Sequence, residues 1–123
     1  MKSVKELNVY NLAFQVSLDV YRQTERFPHS ELFGLASQMR RAAVSICSNL
    51  VEGASRGTTK EYLHFVYVAK GSAAELECQV DLSTALGFIK ETVTKKLKNN
   101  VSEILKMLSG LINKLTLTTN TDH

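Results

Sequence analysis

Few residues of this chain have the type and spacing that could support chemistry. Glu61 and His64 form a Glu-x-x-His element, the spacing with which iron-binding helix bundles present two ligands from one helix. Such a site needs a second element of the same kind, and the other histidines, His29 and His123, do not supply one. We therefore predict no metal and no cofactor.

Nucleophilic catalysis is not indicated either. Ser45 and Cys47 have no histidine at a helical neighbour position, so neither has a base that could activate it. Walker A, GxGxxG, HExxH and cysteine-rich zinc patterns are also missing from the sequence, which excludes the commonest nucleotide and zinc motifs. We predict that the protein is not an enzyme and has no catalytic residues.

The basic residues are a second functional signal. The net charge is +3 and the isoelectric point about 8.9, which permits a nucleic-acid partner without requiring one. Around the second predicted helix and its following connector, the candidate nucleic-acid-binding residues are Arg40, Arg41, Arg56 and Lys60. A second basic group near the third connector contains Lys90, Lys95, Lys96 and Lys98. Each group is either a solvated surface or a phosphate-binding one.

A polar seam is predicted between the apolar stripes of the second and third helices. Residues spaced by three or four share one edge of a helix, and on the second helix they are Gln38, Arg41, Ser45, Asn49 and Glu52. On the third helix the corresponding residues are Ser72, Glu75 and Gln79, with Gly71 beside them. Arg41 opposite Glu75 is a plausible ion pair. The seam either fixes helix register and subunit packing or contacts a ligand.

Helical periodicity and turn residues divide one domain, residues 1–123, into four helices at about 7–25, 30–52, 58–86 and 92–116. Pro28 ends the first helix, and Ser30 is the predicted cap of the second. Gly53 is predicted to end the second helix, and Thr58 or Thr59 to cap the third. Residues 117–123 are predicted to be a frayed tail.

The predicted fold is all-α, an antiparallel up-down-up-down four-helix bundle. Short connectors between long helices favour antiparallel neighbours. The cleanest apolar stripe lies on the fourth helix, at Leu97, Val101, Ile104, Leu108, Leu111 and Leu115.

Two helices have more apolar surface than one bundle uses. The second helix adds a further stripe at Ala36, Val44, Cys47 and Val51. The third helix adds one, rich in small residues, at Leu63, Tyr67, Gly71, Ala74, Cys78, Leu82 and Ala85. Long side chains of the same subunit could cover these positions. We favour burial against a second copy, which predicts a homo-oligomer.

The two cysteines, Cys47 and Cys78, lie in helical patterns without CxxC spacing, which predicts reduced, buried thiols and a cytoplasmic location. The sequence has no apolar run of 18 residues and no secretory signal after Met1. We therefore expect no contact with a membrane.

Two blocks of sequence resemble a known family. Residues 45–53 read SIxxNxxEG and residues 71–77 read GSAxELE. From Leu7 to about Leu115 the chain resembles the bacterial four-helix-bundle proteins called 23S rRNA-intervening-sequence proteins, or S23 ribosomal proteins. The positions that the resemblance marks are Gln38, Arg41, Ser45, Asn49, Glu52, Gly71, Ser72 and Glu75.

The resemblance implies a cytoplasmic bundle that assembles as a ring, typically a homopentamer. It also implies a relation to the accessory variability proteins of diversity-generating retroelements, which share the fold and partner a reverse transcriptase. The family name records where the genes lie, not an activity. We therefore predict a ring-forming protein that binds RNA or DNA. The alternative is a protein-interaction scaffold, such as an accessory subunit of a reverse transcriptase, without direct nucleic-acid binding.

Overall fold

The structure, a computed structural model, describes residues 4–121 of the chain and the side chains of residues 6–119. These residues form four α-helices, α1 (Val4–Thr24), α2 (Leu35–Ala54), α3 (Thr59–Ala85) and α4 (Glu91–Thr121), and a 3-10 turn at His29–Glu31. No strand occurs among residues 4–121. The all-α four-helix fold predicted from the sequence is confirmed.

The connection between α1 and α2 differs from the prediction. Pro28 has an extended backbone (φ −52°, ψ 142°), which stops helical geometry from continuing through this point. Ser30 does not cap the second helix, because that helix begins at Leu35 rather than at residue 30. Instead the Glu31 carboxylate accepts a hydrogen bond from the Leu35 backbone N–H (3.3 Å). A side chain of the 3-10 turn thus satisfies a backbone donor of the first turn of α2.

Both ends of α3 are fixed by local hydrogen bonds. Thr58 Oγ1 accepts a hydrogen bond from the Glu61 backbone N–H and donates one to Glu61 Oε2, each 3.1 Å. At the other end Gly87 has φ +81°, a left-handed conformation that glycine adopts at little cost. The Phe88 backbone N–H then bonds to the Ser83 carbonyl (2.9 Å). The chain therefore turns sharply into α4.

The fourth helix is longer than the sequence predicts. All six residues of its predicted apolar stripe are buried. The prediction of a frayed tail is wrong for residues 117–121, which continue α4, while residues 122 and 123 lie outside the described part of the chain. Thr116 and Thr119 donate hydrogen bonds to the carbonyl oxygens of Ile112 and Leu115 (2.7 and 2.9 Å). Their hydroxyl groups are thus satisfied within the helix itself.

Consecutive helices pack against each other and α4 closes the bundle against α1, which gives the up-down-up-down arrangement. Helix α2 approaches α3 closely at Gly53. This residue was predicted to end the second helix, but it lies inside the last turn of α2. A Cβ atom there would lie 2.8 Å from Phe65 Cβ and from Tyr62 Cδ1. Glycine is therefore required by packing at this position. Within the described chain, no helix is both long enough and apolar enough to cross a membrane.

Candidate functional site

A hydrogen-bonded seam joins the middle of α2 to α3. The hydroxyl oxygens of Ser45 and Ser72 are 2.8 Å apart, and Asn49 Nδ2 donates to both the carbonyl and the hydroxyl oxygen of Ser45 (2.8 and 2.9 Å). Three of the predicted seam residues are thus brought together. Gln38 and Gly71 are exposed on either side of them. The seam therefore links α2 to α3 through side-chain hydrogen bonds.

The predicted ion pair between Arg41 and Glu75 is not formed within the described part of the subunit. Both side chains are exposed. Glu75 Oε1 instead accepts a hydrogen bond from Gln79 Nε2 (3.1 Å), one turn further along α3. Gln79 is itself buried, so its amide holds the Glu75 carboxylate in place at the edge of the helix.

Two of the four candidate nucleic-acid-binding residues are held by contacts within the subunit. Arg40 Nε donates to Thr24 Oγ1 (2.8 Å), and its guanidinium carbon lies 4.8 Å from the centre of the Tyr21 ring. Arg56 Nη2 lies 2.6 Å from Glu52 Oε1, and its guanidinium stacks over Phe65 at 4.9 Å. Both cations are therefore partly compensated.

The four candidate cations lie in two pairs along the second helix and the connector that follows it. Arg40 and Arg41 lie in the second turn of α2, whereas Arg56 and Lys60 flank the connector after that helix. The helix between Arg41 and its last residue, Ala54, alone spans about 20 Å. The end of the bundle that holds Arg41 also holds the start of α4 with its lysines, of which Lys98 pairs with Asp81 (2.9 Å). Positive charge is therefore divided between the two ends.

An apolar surface covers the outside of α1 and α2. We define the α1–α2 face by its exposed apolar residues Phe14, Tyr21, Phe33, Val44 and Val51. Phe33 is 92% exposed. Beside it lies a concavity of about 650 Å³ that includes Tyr21, Val44 and Arg41 in its lining. Arg40 lines the concavity as well, and a concave apolar surface that contains arginine side chains is typical of a protein-binding surface.

A second apolar surface runs along the outside of α3. We define the α3 face by the exposed residues Tyr67, Gly71, Ala74, Cys78 and Leu82. Tyr67 is 53% and Leu82 50% exposed. A Cβ atom added at Gly71 would meet nothing within 4 Å. Long side chains of the same subunit therefore do not cover this stripe, and the packing of the subunit does not explain the glycine.

Sequence reasoning found the α3 face but missed the contribution of α1 to the other one. Phe14 and Tyr21 are seven residues apart on α1 and point to the same side of that helix. Their spacing is the available signal, since a separation of seven residues places both rings on one side of the helix. Phe33 lies between helices, where periodicity gives no information.

The two thiols differ in environment, and both cysteines are free. Cys78 is exposed, contrary to the prediction that both are buried. Cys47 is half-buried, with Sγ 3.9 Å from Ser17 Oγ, and burial raises its pKa.

We expect the thiolate of Cys47 to form only in alkaline solution, because a raised pKa keeps the thiol protonated at neutral pH. In a Cys78→Ser variant, the rate of alkylation by iodoacetamide should rise with pH through a midpoint above the value of about 8.5 for a free cysteine. A midpoint at or below that value would contradict the burial of Cys47 against α1.

Glu61 and His64 both lie near the start of α3. Within the residues that the structure describes, no group of three or more His, Cys, Asp or Glu side chains is placed to hold a metal ion. Glu61 instead completes the cap of α3 through Thr58, and the His64 ring stacks edge-on against Phe65 (5.3 Å between ring centres).

Known proteins resemble this chain in sequence and in fold. A family model described as 23S rRNA-intervening sequence protein matches residues 5–110. The crystal structure of a protein with unknown function from the S23 ribosomal protein family of Bacteroides thetaiotaomicron superimposes with a TM-score of 0.83 and 19% sequence identity. The match covers 89% of this chain and 99% of that one. No curated protein matches the sequence.

Proposed function

The chain belongs to the family of 23S rRNA-intervening sequence proteins, and on that premise we propose that it is a non-enzymatic protein that assembles into a homo-oligomeric ring and binds nucleic acid. One observation carries the proposal. A single subunit exposes two different apolar surfaces, the α1–α2 face and the α3 face, on different sides of the bundle. An apolar surface that the subunit leaves open favours association.

A ring is favoured over a simple dimer because the two faces differ. A two-fold dimer uses the same patch on both copies, whereas contact between two unlike patches is head-to-tail and closes into a ring when the rotation allows. The α1–α2 face is concave and aromatic, and the α3 face is rich in small residues. These shapes support an unlike pair. The family resemblance favours five copies, in the cytoplasm.

Nucleic acid is the partner that we propose for the ring. Each subunit has Lys60 exposed after α2 and Arg56 close by. The Arg56–Glu52 ion pair is exposed and therefore weak, so that a phosphate could replace the carboxylate. A ring repeats these cations at regular spacing, and several phosphate contacts together give sequence-independent binding of RNA or DNA.

A protein-interaction scaffold is the second candidate, and the contacts of Arg40 and Arg56 favour it. Both guanidinium groups already have partners within the subunit, which leaves fewer free cations for phosphate. In that case the ring would bind a protein, such as a reverse transcriptase, and not free nucleic acid.

We expect the purified protein to have the native mass of an oligomer and to bind single-stranded RNA or DNA with an affinity that falls steeply as salt rises. Fluorescence anisotropy between about 50 and 200 mM salt, with native mass spectrometry in the same buffers, measures both. Arg56→Gln/Lys60→Gln should weaken binding and flatten the salt dependence. Lys106→Gln/Lys114→Gln on α4 removes the same charge and serves as the matched control.

The two parts of the proposal can fail separately. An intact oligomer that binds no nucleic acid at low salt would contradict the nucleic-acid role and leave the scaffold. A protein that stays monomeric at micromolar concentration would contradict the ring.

A further inference from the structure

The contact between α2 and α3 at the seam makes it possible to compare the positions of their residues along the bundle axis. Ser45 and Ser72 are in contact and therefore lie at the same level, and the two helices run in opposite directions. Four residues back from Ser45 is Arg41, and four residues on from Ser72 is Leu76, next to Glu75. Since each residue advances about 1.5 Å along a helix, Arg41 and Glu75 lie at nearly the same height on different sides of the subunit.

The apolar residues of the two faces match in height by the same measure. Val51 lies six residues after Ser45, and Tyr67 lies five residues before Ser72, so the two differ by about 1.5 Å. Val44 on α2 is level with the stretch between Gly71 and Ala74 on α3. In a ring whose axis is parallel to the helices, each subunit is rotated without being shifted along the axis. Groups at equal height would then meet.

We propose that Arg41 of one copy forms an ion pair with Glu75 of the next copy, where the α1–α2 face of the first packs on the α3 face of the second. The inference rests on the proposed ring and adds the contact that orients it. Val44 then lies against Gly71 and Ala74, and Val51 lies against Tyr67. The open space at Gly71 is where the neighbouring helix approaches.

The charges support this arrangement. Arg41 lines the concavity of the α1–α2 face and has no ion-pair partner within the described subunit. Docking would remove it from water, and a buried guanidinium without a partner is strongly unfavourable. Glu75 is a carboxylate already positioned by Gln79 (3.1 Å), so less side-chain freedom is lost when the pair forms. Arg40, in contrast, is already held by Thr24.

Charge reversal tests the pair. Arg41→Glu and Glu75→Arg should each raise the dissociation constant of the assembly by a factor of about 30 or more, because each brings like charges together in the interface. The double variant Arg41→Glu/Glu75→Arg should recover the native mass and most of the affinity. Analytical ultracentrifugation over a concentration series measures the assembly, and circular dichroism verifies that each variant remains helical.

Matched controls lie on α4, outside both faces. Lys106→Glu and Glu103→Arg make the same changes of charge at exposed positions and should leave the mass unchanged. If Arg41→Glu and Glu75→Arg both keep the wild-type mass, the ion pair is overturned while the ring stands. The same conclusion follows if the double variant does not recover that mass. A wild-type protein without any oligomer would overturn the ring and the pair together.

Discussion

Gly53→Val should destabilise the folded subunit by about 2–3 kcal/mol, the upper part of the range for overpacking in a close-packed interior. A Cβ atom at this position would lie 2.8 Å from both Phe65 Cβ and Tyr62 Cδ1, and 3.3 Å from the Tyr62 carbonyl oxygen. Tyr62 is buried and has little room to move. Helices α2 and α3 would have to separate. Equilibrium unfolding in urea, followed by circular dichroism, measures the loss.

Gly110→Ala is the control for this measurement. Gly110 lies inside α4, and a Cβ atom there would meet nothing within 4 Å. Alanine should therefore stabilise the subunit by about 0.5–1 kcal/mol, the usual difference between the two residues within a helix. Equal stability of Gly53→Val and the wild type would contradict the close approach of α2 to α3.

Gly71→Leu should abolish assembly and leave the subunit folded. The space around Gly71 is open within the subunit, so the leucine side chain causes no clash there and improves the helix propensity of α3. In the proposed ring the same side chain would lie where Val44 of the neighbouring copy packs. The native mass should fall to that of a monomer while the helical content remains unchanged.

Gly110→Leu provides the comparison, since it places the same side chain at an exposed glycine of α4. It should retain the wild-type mass. A wild-type mass for Gly71→Leu would show that the α3 face is not an interface and would remove the main support for the ring.

The sequence was most informative where burial alone determines the structure. Heptad spacing identified all six buried positions of the α4 stripe, from Leu97 to Leu115, because a helix that buries one side repeats its apolar residues every three or four positions. The same argument found the outer stripe of α3. Of its members, Leu63 packs partly against the core, while the others from Tyr67 onwards are exposed.

Sequence reasoning was wrong where a side chain from one helix or turn bonds to a group in another. Ser30 is a favourable cap residue, but the first turn of α2 is satisfied by the carboxylate of Glu31, and no propensity predicts that contact. A helical wheel places Arg41 and Glu75 on facing edges without giving the length or direction of either side chain. Arg40 is held by Thr24 and Tyr21 of α1, which only the tertiary structure brings near.

The order in which the helices pack has a consequence for how the chain folds. Each helix packs against the helix that precedes or follows it in the sequence, and α1 also packs against α4. The contact between α1 and α4 can form only after the whole chain has been made. Contacts between consecutive helices are local and give a low contact order and fast folding. During synthesis, α2 and α3 can form their serine seam before the leucine stripe of α4 leaves the ribosome, since domains form from the N-terminal side. A newly made chain would thus have the α2 and α3 parts of its assembly surfaces in place before its own core is closed.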